Sequence, residues 1–348
     1  MNKQPLVSII VPVYNCAQYL EYAVKSALNQ TYQNIEILLI NNGSTDSSFF
    51  ICEKLGEADP RIHALDVHDN VGAGEARNIG LDHARGDCIY FLDADDTLEC
   101  NALERLVNEM IDKDVDVVIC GHKAFVPGTS FVDHHVPQEQ YLTTVEDVHI
   151  FASTWLPNGL IGFLWNKLYK ASIIKDFAIS FKALSRLEDG FFNIDYFNHC
   201  SSCAVITEEL YNYRLSSSEE VIRKHNKEYF RLYCSLIDEC NLKRDEWGTT
   251  DISKDVMYGL CLDEFGTCIE NAYLSDWGQE KKRRIAFLNG IRDNTYYISA
   301  HESLQNLGKY RRILIQLLDG KHFAILGFIV RFKTFVKSNA TNTYYKLK

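Results

Sequence analysis

The chain has 348 residues, 46% of them hydrophobic and 24% charged, and a formal net charge of −11. That length suits one large α/β domain with an appendage, or two domains. Low-complexity runs and repeats are absent, and the charge is uneven: residues 305–348 carry +8 and the remainder −19, so an acidic body argues against a nucleic-acid binder.

The opening MNKQPLVSIIVPVYN does not read as a signal peptide, because its apolar run is short, contains Pro12 and continues as a first strand. No uninterrupted apolar run reaches about eighteen residues, so no transmembrane helix is predicted. Without an export signal, the eleven cysteines are expected to be free thiols in a reducing cytoplasm. Cys200 and Cys203 have CxxC spacing with no second pair to complete a zinc site, and packing is the expected role.

In chain order, VSIIVPVY (Val7 to Tyr14) reads as a strand, and AQYLEYAVKSALNQ as a helix with Leu20, Val24, Ala27 and Leu28 on one stripe. IEILLIN is a buried strand, and STDSSFFICEKLGE offers Ser44, Thr45 or Asp46 as caps before a helix. RIHALDV is a short strand, GEARNIGLDHARG a helix closed by Gly86, CIYFLD a strand, NALERLVNEMID a helix and DVDVVICG a strand. Near-continuous apolar strands separated by helices imply a mostly parallel central sheet covered on both faces. Residues 125–145 show little periodicity. A helix is expected near Leu164 to Lys170, another just after Glu188 and Asp189, a strand and turn in AVITEELYNYR, and mostly helix from about Lys227.

Ligands of such sheets bind beyond the carboxyl ends of the strands. Tyr14 and Asn15 end the first strand, Asn41 and Asn42 the second, and Asp93, Asp95 and Asp96 a later one. The FLDADD cluster supplies oxygen ligands only, which suits Mg²⁺ or Mn²⁺ completed by water and substrate phosphates. An Asp-rich turn capping a helix is the alternative. NVGAGEARNIG sets two glycines and Arg77 at a helix start, where an anion could bind. Glu188 and Asp189 in RLEDG could raise one another's pKa and furnish a general base, or could simply open a helix. His225 is a candidate further metal ligand or an ordinary surface histidine.

Taken together, VSIIVPVYNCAQYLEYAVKSALNQTYQNIEILLINNGSTDSS and NVGAGEARNIGLDHARGDCIYFLDADD resemble the opening of family 2 nucleotide-sugar glycosyltransferases of the GT-A fold. WNKLYK, LEDGFFN and LYNYR extend the resemblance to about residue 230. It implies a nucleotide-sugar-binding half at 1–120, an acceptor-binding half at 121–230 and a helical region with a basic tail at 231–348. By the same resemblance, Pro12, Tyr14, Asn15, Asn42, Arg77, Asp93 and Ala94 would hold the nucleotide sugar. Asp95, with Asp93, would bind the metal, and all three aspartates would gather around Mn²⁺ or Mg²⁺ and a diphosphate. Asp189 would be the catalytic base with Glu188 beside it, and Trp165 would lie at the acceptor site. Asn42 stands where the family usually has Asp. Its amide oxygen can accept the N3–H of uracil, so uridine is the expected base, although the amide also tolerates cytosine.

The implied activity is inverting transfer of one sugar from a UDP-hexose or UDP-N-acetylhexosamine to a glycan or lipid-linked acceptor in capsule or lipopolysaccharide synthesis. No QxxRW motif occurs, which argues against a processive synthase. A sugar nucleotidyltransferase is disfavoured because VPVYNCAQYL lacks a glycine-rich basic loop, and a non-catalytic binding module is the third possibility. KHFAILGFIVRFKTFVK (Lys321 to Lys337) is too short to span a bilayer. With the rest of residues 305–348 it is expected either to lie on an anionic inner membrane surface or to pack as an ordinary terminal helix.

Overall fold

The computed structural model describes residues 4–155, 160–215, 228–250, 254–275 and 279–339. His225 and the last nine residues of the tail lie outside them. The chain divides into two compact units, 1–125 with 132–214, and 126–131 with 215–348.

The first unit is built on strands β1 (Val7–Val13), β2 (Ile35–Asn42), β3 (Ile62–Val67) and β4 (Cys88–Phe91), with helices α1 (Ala17–Leu28), α2 (Ser48–Ala58) and α3 (Ala73–His83) between them. β1 pairs in parallel with both β2 and β4, and β2 with β3. Every residue of β2 is buried, as expected of a strand covered on both faces. Each fully buried Val, Leu or Ile there contributes about 1.5–3 kcal/mol. α1 closes one face with Leu20, Ala23, Val24 and Ala27. Because β1, β2 and β4 run the same way side by side, Tyr14, Asn42 and Asp93 emerge at one edge.

The remaining elements are β5 (Thr97–Leu98), α4 (Ala102–Lys113), β6 (Val117–Phe125), β7 (Val132–His135), β8 (Gln140–Leu142), α5 (Val145–Trp155), β9 (Lys167–Lys170), α6 (Ala171–Asp176), α7 (Glu188–His199) and β10 (Cys203–Arg214). The sheet runs β3-β2-β1-β4-β9-β6-β10-β5, with β7 beside β6 and β8 beside β10. β9 is antiparallel to both β4 and β6, so the sheet is mixed beyond β4. The helix expected near Leu164–Lys170 is therefore a strand. KLYK fills the slot between β4 and β6, and this pairing outweighs its local helical spacing. Lys167, fully buried in β9, keeps its ammonium satisfied by the carbonyls of Leu160 (2.8 Å) and Phe163 and by Asn166 Oδ1 (2.8 Å).

The second unit is helical: α8 (Tyr229–Glu246), α9 (Lys254–Leu274), α10 (Lys281–Arg292), α11 (Thr295–Ala300), a 3₁₀ turn (His301–Asn306), α12 (Lys309–Asp319) and α13 (Phe323–Asn339). Its core includes Leu236, Phe265, Ile269, Leu288, Leu314 and Leu326. All eleven cysteines are free, Cys200 and Cys203 both buried, which is the packing role expected of them.

Candidate active site

α3 and α7 are brought together by a glycine and an arginine. A Cβ at Gly74 would come within 3.2–3.3 Å of the Lys182 carbonyl, Phe181 and Glu188, so the GAGEAR turn needs a bare residue where α3 meets the segment before α7. One turn on, Arg77 is buried and donates to Asp189 Oδ1 (2.9 Å), Glu188 Oε1 (3.2 Å) and Asp93 Oδ1 (3.1 Å). Carboxylates from a strand end and from a distant helix start thus share one guanidinium. Burial opposes the charge on Arg77 and the three carboxylates outweigh it. Arg77 Nε has no hydrogen-bond partner.

Leu187 precedes the acid pair with φ 67°, an uncommon conformation for a side chain of its size. It turns the backbone so that Glu188 and Asp189 open α7. Burial pushes the Asp189 carboxyl up to about 7. Arg77 opposes this rise, and Glu188 and Asp93 add to it. The side chain nonetheless keeps 30% of its surface exposed.

The three aspartates of FLDADD do not act together. Asp93 and Asp95 face the surface, with Asp95 37% exposed. Asp96 is buried: its Oδ2 accepts from Tyr211 Oη (2.7 Å) and its Oδ1 from the Arg214 N–H (2.6 Å). Burial, then Asp93 and Asp95, hold its carboxyl well above the usual range. The expectation of three carboxylates around one cation is corrected, since Asp96 spends both oxygens anchoring β10.

Asn15, at φ 48°, accepts through Oδ1 from the N–H groups of Thr45 (2.8 Å) and Asp46 (3.4 Å), holding the loop between β2 and α2 against the end of β1. Asn42 is buried, accepts from the Val71 N–H (2.9 Å) and donates to Asn70 Oδ1 (3.2 Å). Asn41 donates to Asp66 Oδ1 (2.6 Å). Carboxylates at 41 and 42 could make neither donation, which gives NNG a physical reason in place of DDG. Pro12 is half-buried, Tyr14 exposed and Ala94 buried.

Trp165 is only 4% exposed. It lies in a column of rings, stacked on Tyr211 (4.4 Å between centroids), Phe163 (4.6 Å) and Tyr213 (5.5 Å). Phe163, unlike Trp165, is exposed. Tyr211, Arg214 and Lys167 are contributors that the sequence reading did not single out. Arg214 sits 3.2 Å over the Tyr19 ring, donates to the Asp95 carbonyl (3.1 Å) and lies 3.7 Å from its carboxylate. The one available signal was the alternation in LYNYR, which puts Tyr211 and Tyr213 on one strand face.

Among the described residues no group of three His, Cys, Asp or Glu side chains is placed to hold a metal ion. Asp93 and Asp95, each partly exposed, offer carboxylate oxygens of the kind that Mg²⁺ or Mn²⁺ takes alongside water and phosphate oxygens.

A family model described as Glycosyl transferase family 2 matches residues 8–168. The putative glycosyltransferase EpsH of Bacillus subtilis is 34% identical over 238 residues, 67% of this chain and 67% of EpsH. Another curated relative is spanned over only 30% of its length. The structure of Staphylococcus aureus TarS 1-349 in complex with UDP-GlcNAc superposes with a TM-score of 0.64 at 18% identity, covering 93% of this chain and 90% of that one. The mannosyltransferase PcManGT of Pyrobaculum calidifontis, solved with GDP-Man and Mn²⁺, gives 0.52 at 15% identity, over 96% and 88%. These likenesses show the GT-A fold.

Proposed function

The chain belongs to glycosyl transferase family 2, and on that premise we propose that it is an inverting enzyme moving one sugar from a UDP-hexose or UDP-N-acetylhexosamine to a hydroxyl of a glycan acceptor in surface-polysaccharide synthesis. The observation that carries this is Arg77 joining Asp93 to Glu188 and Asp189. A donor-side carboxylate and a general base are thereby fixed to each other by one buried cation.

Asp189, with its raised pKa, takes the proton from the acceptor hydroxyl. The hydroxyl oxygen attacks the anomeric carbon from the face opposite the nucleotide. The bond to the diphosphate breaks and its electron pair leaves with the phosphate, so one displacement inverts the centre. A Mn²⁺ or Mg²⁺ ion on Asp95 and Asp93 would offset the charge growing on that leaving group. Tyr14, Pro12, Asn15, Asn42 and Ala94 form the nucleotide side. Thermal shift with UDP-, GDP- and CDP-sugars, with and without Mn²⁺, tests the donor. A shift specific to UDP-sugars is expected, and no shift with any of them counts against the proposal.

We further propose that α13 of the second unit meets a membrane surface. Leu326 and Val330 are buried in the second unit, whereas Ile325, Phe328, Phe332 and Phe335 are each more than half exposed on the other face. The helix contains no acid and carries Lys337 and an exposed Arg331, whereas Lys333 is paired with Glu270 at 2.7 Å. No helix among the described residues is long and apolar enough to cross a membrane. An apolar stripe flanked by cations suits the headgroup region of an anionic leaflet, on the inner face of the cytoplasmic membrane. Packing in the second unit accounts for the buried face, and the membrane reading is supported by the exposed one.

A further inference from the structure

A cavity of about 480 Å³ lies in the first unit, walled by β6, β7, the segment after β7, and Leu160 with Phe163. Its size falls in the range of small-molecule sites, roughly 300–1,000 Å³. The wall is closely fitted: a Cβ at Gly121 would come within 2.7 Å of the His135 carbonyl and 3.0 Å of Pro137. That glycine is what lets β6 accept the turn after β7.

The lining is neutral and two-sided in hydrogen bonding. None of the residues around the cavity is Lys, Arg, Asp or Glu, which disfavours a phosphate or carboxylate ligand. Gln138 and Gln140 offer amides that both donate and accept. His134 donates through Nδ1 to Glu209 (3.0 Å), which leaves Nε2 to meet a ligand. His122 stacks on His135 at 4.2 Å, and burial followed by His135 lowers its pKa to about 4, so it stays uncharged.

Phe163 supplies a flat apolar face. It lies nearly parallel to Trp165, 18° between planes, and Trp165 is in turn stacked on Tyr211, whose hydroxyl holds Asp96. The Phe163 carbonyl accepts from Lys167 Nζ and from Asn193 Nδ2 (3.3 Å). Asn193 belongs to α7, the helix opened by Asp189. The platform is therefore held by the same helix as the base.

We propose that this cavity binds a neutral pyranose unit of the acceptor glycan, with the C–H face of the sugar on Phe163 and its hydroxyls on Gln138, Gln140 and His134. Every sugar hydroxyl both donates and accepts, which matches the side-chain amides. The proposal rests on the transferase reading.

The test uses the full chain and saturation-transfer NMR with the β-methyl glycosides of glucose, galactose, N-acetylglucosamine and N-acetylgalactosamine. Thermal shift with UDP-sugars is run alongside. At least one glycoside is expected to bind the wild type and to bind Phe163→Leu and Gln140→Ala about tenfold more weakly, roughly the loss of one good stacking or hydrogen-bond contact. The UDP-sugar shift is expected to be unchanged in both variants. Binding that is equal in wild type and both variants, or absent from a wild type that still responds to UDP-sugars, overturns the cavity assignment and leaves the transferase reading standing. A chain that responds to neither glycosides nor UDP-sugars overturns both.

Discussion

Arg77 donates to Asp189 at 2.9 Å from one terminal nitrogen and to Asp93 at 3.1 Å from the other. The two carboxylates are coupled through one buried guanidinium, so their geometry is set before any ligand arrives. Removing the cation would leave carboxylates crowded and uncompensated, whose cost is about 3–5 kcal/mol for a broken buried pair. Arg77→Met is expected to lose most of that stability in urea denaturation together with all transfer. Arg77→Lys, a single point charge with no fork, is expected to fall between. A variant within about 1 kcal/mol of wild type, the range of a surface pair, would show the network to be dispensable.

The pH dependence follows from Asp189. A base held up to about 7 is protonated below that pH, so kcat/KM should rise with pH through about 7 and then level off. Its folded pKa lies above the unfolded carboxylate value of about 4. The stability that it contributes is therefore full below about 4 and lost as pH rises through about 7. Thermal melts from acid to pH 8 should show wild type losing ground to Asp189→Asn as pH increases. Parallel curves would mean that the group does not titrate in that window.

The two outer aspartates and the inner one should part company in metal titrations. Asp95→Ala is expected to weaken Mn²⁺ binding, followed by calorimetry with UDP present, by at least tenfold. Asp96→Asn keeps an acceptor for the Arg214 N–H and should leave Mn²⁺ affinity within twofold, about 0.4 kcal/mol. If Asp96→Asn weakened Mn²⁺ as much as Asp95→Ala does, Asp96 would be a ligand.

The parallel core was legible because its signal is local: apolar runs such as IEILLIN, interrupted by helical stripes, need no knowledge of neighbours. The convergence of Tyr14, Asn42 and Asp93 followed from that pattern. β9 was not legible, since four residues of KLYK take strand form only because β4 and β6 leave a gap for them. The burial of Asp96 was not legible for a related reason. Adjacent aspartates look equivalent in sequence, and only Tyr211 and Arg214, more than a hundred positions away, turn one of them inward. The departure from DDG to NNG was visible as letters, but its cause lies in Asp66 and Asn70.

The stripe on α13 makes a separate prediction. Phe328→Glu with Phe332→Glu is expected to reduce co-sedimentation with phosphatidylglycerol vesicles at low salt by about tenfold or more, with little binding to phosphatidylcholine in either form. Wild-type recovery that is independent of vesicle charge, or unchanged in the double variant, would contradict a membrane role. The same substitutions face solvent and should leave the melting temperature nearly unmoved.

The most direct measurement compares wild type and Asp189→Asn for UDP-sugar binding by thermal shift and for transfer by UDP release in the presence of acceptor glycan. Asn cannot take a proton from a hydroxyl, so transfer should fall by about 10²–10⁴-fold while the UDP-sugar shift is retained. Transfer within a few-fold of wild type in Asp189→Asn would contradict Asp189 as the base.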